Sequence, residues 1–66
     1  MKEIEVAIKD KLNLTLEEAA EYSNIGINKL RELANRPSCS FVIYVGRKRL
    51  IKRRKFEEFI ESQIEI

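Results

Sequence analysis

Asn28, Arg31, Glu32 and Asn35 recur at intervals of three and four residues, a spacing that lines side chains up along one face of a helix. They are also the residue types that read base edges in a DNA major groove. An Arg guanidinium forks onto guanine, an Asn amide onto adenine, and a Glu carboxylate accepts from the cytosine amino group. Lys29 and Arg36 flank the same face, while Leu30, Leu33 and Ala34 fall opposite, with Ile27 at their margin. That is the apolar stripe of a helix seated on a core. Any solvated helix face draws on the same polar residues, so the pattern gains meaning only from its surroundings.

Charge supplies those surroundings. The net formal charge is only +2, but it is segregated along the chain. Residues 1–26 carry three Lys against six acids, a net of −3. Residues 27–55 carry ten Lys/Arg against Glu32 alone, a net of +9. Residues 56–66 carry four Glu and no cation, a net of −4. A basic middle between acidic ends is the footprint of a polyanion-binding face. The cations are densest from Arg47 to Lys55, where seven occur without an acid among them. Arg47, Lys48 and Arg49, followed by Lys52, Arg53 and Arg54, are candidates for the DNA backbone or minor groove, with Arg36 at the end of the reading helix. A basic sheet edge also discourages aggregation, although that role needs fewer cations.

Other chemistries are limited by composition. The chain has 66 residues, 44% hydrophobic and 36% charged, with no His and one Cys. That is a single domain near the lower limit for folding alone, without room for an enclosed catalytic cavity. A Cys/His zinc site, an internal disulfide and His-dependent base catalysis all lack their residues. Neither a metal nor a cofactor is expected, and Cys39 reads as a small hydrophobe in a loop more readily than as a reactive thiol. No apolar run approaches the roughly 20 residues of a membrane span, and no signal peptide is visible, so a cytoplasmic, non-enzymatic binding protein is expected.

The elements that position these residues follow in order. Residues 1–11 alternate apolar and charged through Ile4, Val6 and Ile8, which predicts a short N-terminal strand. Thr15 and Glu18 form a T-x-x-E capping box, with Leu14 placed to staple back onto the helix they start. Leu16, Ala19, Ala20 and Ser23 give that helix its inner stripe. The break at Asn24-Ile25-Gly26 sets up a helix-turn-helix over 14–36, with Gly26 taking the tight turn or capping the second helix. Pro37 stops that helix. FVIYV (41–45), a Gly46-containing turn and residues 47–53 make a β-hairpin, the wing, over 41–53. Phe56, Phe59, Ile60 and Ile64 place a last helix over 54–64. Its start is crowded with Arg53, Arg54 and Lys55 against the helix dipole, which suggests a compensating anion, chance placement being the alternative. Tyr22 and Tyr44 are expected to pack in the core with their hydroxyls at the surface, a stacking platform being the other possibility. The class is α+β, a winged helix-turn-helix.

LTLEEAAEY followed by IGINKLREL, then VGRKRLIKR and FEEFI, resembles the excisionase (Xis) family, in particular the small excisionases of conjugative transposons with MerR-like winged-helix folds. The resemblance spans about residues 12–64. It implies a recombination directionality factor that binds and bends double-stranded DNA near the ends of an integrated element. There it favours excision by a tyrosine-family integrase. By match to the family's recognition helix, Asn28, Lys29, Arg31 and Glu32 would face the major groove. By match to its wing, Arg47, Lys48 and Arg49 would meet the backbone or minor groove. A small transcriptional regulator on the same fold, or a module docking an acidic protein, would need much the same face. Neighbouring copies could pair on DNA through Ile64-Glu65-Ile66.

Overall fold

Thr15 starts the framework. In the computed structural model, which describes residues 6–66, its hydroxyl accepts from the Glu18 N–H at 3.0 Å, and the Glu18 carboxylate accepts from the Thr15 N–H at 3.0 Å. A closed box of this kind is worth about 1 kcal/mol to the helix it begins. That helix, α1, spans Leu16–Ser23. Leu14 before it and Ala19 inside it are both fully buried, as the staple requires.

Asn24 ends α1 in the left-handed region, with φ 62°, a conformation Asn tolerates better than most residues with a side chain. Of the two roles open to Gly26, the structure shows the cap: with φ −57° and ψ 143° it is the N-cap of the second helix, α2, Ile27–Ala34, while the left-handed turn residue is Asn24. Ser23 helps close the turn, its hydroxyl donating to the Ala19 carbonyl at 2.7 Å and accepting from the Ile25 N–H at 3.2 Å. Leu30, Leu33 and Ala34 of α2 are buried as the apolar stripe demands.

Beyond Pro37 the chain forms the wing, Val42–Val45 pairing antiparallel with Lys48–Lys52. Gly46 holds φ 61° at the first position of the connecting pair Gly46-Arg47, where a glycine-first hairpin turn needs it. These strands are β2 and β3. The first strand, β1, is Asn13–Leu14 and pairs with β3, Asn13 opposite Lys52 and Leu14 opposite Ile51. The sheet order is β1-β3-β2.

β1 corrects the N-terminal expectation. Of the residues thought to form that strand, 1–5 lie outside the described residues, and Ile8–Asp10 is a single 3₁₀ turn. Ile8 packs against the core, and the pairing slot on β3 is filled by residues 13–14. The last helix, α3, also shifts, spanning Arg53–Glu61. Ile64 lies past its end and is fully exposed, so it is not a core residue.

The core is Leu14, Ala19, Leu30, Leu33, Ala34, Phe41, Ile51 and Phe56. Phe41, just before β2, sits between Phe56 and Phe59, each ring centroid 5.2 Å away at tilts of 52° and 49°, the offset geometry aromatic pairs favour. Every element, the 3₁₀ turn included through Ile8, places at least one residue in or against this cluster, which holds α2 beside the wing. No helix among the described residues is long and apolar enough to cross a membrane.

Candidate nucleic-acid interface

Because Leu30, Leu33 and Ala34 are fixed in the core, the opposite face of α2 is set. Asn28, Arg31 and Glu32 are exposed on it, Lys29 is half-buried at its side, and Asn35 and Arg36 are exposed at its C-terminal end. Local pairs organise the face loosely. Lys29 Nζ lies 3.2 Å from the Glu32 carboxylate, and Arg31 donates to Asn28 Oδ1 at a long 3.5 Å. Exposed pairs of this kind are worth a few tenths of a kcal/mol and give way readily to a better partner.

Beyond the shared core, a side-chain hydrogen bond links the wing to this helix. Arg49 of β3 donates from its guanidinium to Asn35 Oδ1, across 14 residues of chain. Alternation along β3 puts Arg49 and its cross-strand partner Tyr44 on the sheet face turned toward α2. Tyr44 and Arg36 help line a depression of about 280 Å³ between the end of α2 and the wing, together with Asn35 and Val42. Tyr44 is 67% exposed and Tyr22 is 40% exposed, so neither is the core residue expected. Sequence reasoning left Tyr44 out of the site. Its two-residue offset from Val42, which packs on the core, was the available signal.

The expected backbone-contacting cations do not form one patch. Arg36 and Arg49 flank the end of α2, while Arg47 and Lys48 stand at the wing tip. Lys52 and Arg54 line a separate depression with Leu12, Asn13, Ile43 and Lys55, on the outer face of the sheet. Arg53 is turned inward, its side chain 17% exposed. It donates from Nε to the Lys11 carbonyl at 2.7 Å and from Nη1 to the Glu57 carboxylate at 3.1 Å. The pairing explains the basic start of α3, which has no side-chain cap. Glu57 four residues on and the Lys11 carbonyl take Arg53, and Glu58 takes Lys55 at 3.6 Å. The compensating negative charge is internal.

Tyr22 adds to the same cluster by donating its hydroxyl to Glu57. That bond, with Arg53 second, holds the Glu57 carboxyl below its ordinary value. It also raises the Tyr22 hydroxyl above its own. Glu18 is likewise held low, first by the Lys11 ammonium and then by the Thr15 backbone N–H. These groups sit on α1, α3 and the segment before β1, and they tie those elements together.

The arrangement can therefore present a polar reading helix and an adjoining cationic hairpin to a duplex. A helix-turn-helix domain family model matches residues 14–64, which takes in α1, α2, the wing and α3. The excisionase from transposon Tn916 of Streptococcus agalactiae is 40% identical over 63 residues, covering 94% of each chain. No solved structure matches the chain. The chain belongs to the helix-turn-helix domain family and, within it, to the excisionases.

Proposed function

We propose that this protein binds duplex DNA selectively near the ends of an integrated mobile element and promotes its excision by a tyrosine-family integrase, without cutting strands itself. The observation that carries the reading is the Arg49–Asn35 link, which makes α2 and the wing one continuous surface. In this reading Asn28, Lys29, Arg31, Glu32 and Asn35 enter the major groove, where their donors and acceptors select bases. Arg36, Arg47, Lys48 and Arg49 take phosphates or the adjoining minor groove and supply most of the affinity. A rigid helix and a basic hairpin held side by side favour a duplex bent toward both, which is how such a protein would organise DNA for an integrase. Lys52 and Arg54, on the outer sheet face, contribute to the general field more than to contacts.

The test is fluorescence anisotropy against duplexes tiled across the element ends, each beside a scrambled control, at several salt concentrations. One or more tiles bound in preference to their controls, with affinity falling steeply as salt rises, is the expected result. Adding the protein to integrase and a joined substrate should then raise the yield of excised product. Equal binding to all tiles, or no effect on excision, would contradict the proposal.

A further inference from the structure

Two asparagines on the reading face look equivalent in sequence and differ in what they have left to offer. An Asn amide recognises adenine by using both ends at once, Oδ1 accepting from the N6 amino group and Nδ2 donating to N7. Asn28 retains that choice, because its Oδ1 receives only a long 3.5 Å contact from Arg31 on the same exposed helix surface. Asn35 does not. Its Oδ1 accepts from Arg49, whose place is fixed by β3 pairing with β2 on one side and β1 on the other. Arg49 is itself half-buried, so the contact has less freedom than one between two fully exposed side chains.

We propose that Asn35 and Arg49 act as one donor-only recognition unit, which takes a hydrogen-bond acceptor and rejects adenine. This rests on the DNA-binding reading above and assigns the chemistry of one part of that face. With Oδ1 turned to Arg49, Asn35 directs its two amide hydrogens outward, and Arg49 presents the guanidinium hydrogens not directed at Asn35. Their combined surface matches the paired acceptors O6 and N7 of guanine, or the oxygens of a phosphate. Adenine would bring its N6 hydrogens against donors, leaving hydrogens facing hydrogens at a desolvated contact. Arg49 thus acts as a positioning residue as well as a contact, because it decides which end of Asn35 faces outward.

The experiment uses the full chain and three variants. Asn35→Asp keeps an oxygen for Arg49 and removes both outward donors. Asn35→Ala removes the side chain, and Arg49→Met releases Oδ1 of Asn35. Thermal unfolding checks that each variant folds, and anisotropy is measured on the preferred duplex and on a set with every base pair changed in turn. Asn35→Asp should weaken binding about tenfold or more while unfolding at the same temperature as the parent. Arg49→Met should weaken binding and, at the position that Asn35→Ala makes indifferent, bring adenine up to parity with the preferred base.

Replacing guanine by 7-deazaguanine, or one phosphate by a methylphosphonate, identifies the acceptor. The substitution that erases the difference between parent and Asn35→Asp marks a base edge or a backbone oxygen. Selective binding by the parent that is unchanged in Asn35→Asp would overturn the donor-only unit and leave the DNA reading intact. A parental preference for adenine that depends on Asn35 would do the same. Failure of the parent to bind any duplex would overturn both.

Discussion

On the α1–α3 flank, Lys11 meets Glu18, Arg53 meets Glu57 and Lys55 meets Glu58. On the α2–wing flank, Arg31, Arg36, Arg47, Lys48 and Arg49 meet no carboxylate among the described residues, and Lys29 with Glu32 is the one ion pair. The first flank pairs these three cations within the chain and fastens the segment before β1, α1 and α3 to one another. The second keeps guanidinium and ammonium groups at the surface, where the cost of bringing them together is recovered only when an external polyanion arrives. Abundance of cations does not separate the flanks, since Arg53 and Arg54 are sequence neighbours with different surroundings. The separation comes from which cations the fold supplies with a partner.

The contrast can be broken from either side. Arg31→Ala should cost about 1–3 kcal/mol on the preferred duplex and far less on a scrambled one, measured by anisotropy, if Arg31 makes the base contacts proposed for it. Equal losses on both would move Arg31 to the phosphates. Arg53→Ala should behave in the opposite way. Loss of its bonds to the Lys11 carbonyl and Glu57 should lower stability by about 1–2 kcal/mol in denaturant unfolding, with DNA affinity unchanged at a given folded fraction. A binding defect without a stability defect would return Arg53 to the DNA face. Lys48→Ala, at the wing tip, should weaken both duplexes alike and reduce the salt slope by about one unit.

The smallest effect is in pH. Glu18 and Glu57 have folded-state values below the ordinary 4.5, so their stabilisation is present above that value and fades as pH falls through the folded ones. Tyr22 is raised above its ordinary 10.0, so its share is present below that value and is lost as pH rises past it. Glu18→Gln, which keeps a capping-box side chain, should flatten part of the acid limb in thermal unfolding followed from pH 7 to pH 3.

How much of this was legible depends on the distance between partners. The Thr15–Glu18 box spans three residues, so its pattern predicts the start of α1 correctly. The 3.6-residue period of Leu30, Leu33 and Ala34 likewise fixes which face of α2 is wet. Gly46 marks the wing turn because few other residues accept its φ. The first strand was misplaced because local alternation cannot say what β3 will pair with 39 residues away, and Asn13, opposite Lys52, takes that place. Arg53 looked like a DNA contact because its partner at Lys11 lies 42 residues back. The Asn35–Arg49 unit was hidden for the same reason. Both residues were expected at the interface, but only the packing of α2 against the wing joins them.

The most direct test of the account is amide chemical-shift mapping by NMR, with the preferred duplex added to the labelled protein. The account predicts perturbations concentrated in Asn28–Arg36 and Tyr44–Arg49, with Glu17–Tyr22 and Glu57–Glu61 nearly unmoved. Perturbations centred on the α1–α3 flank, with α2 and the wing quiet, would contradict it.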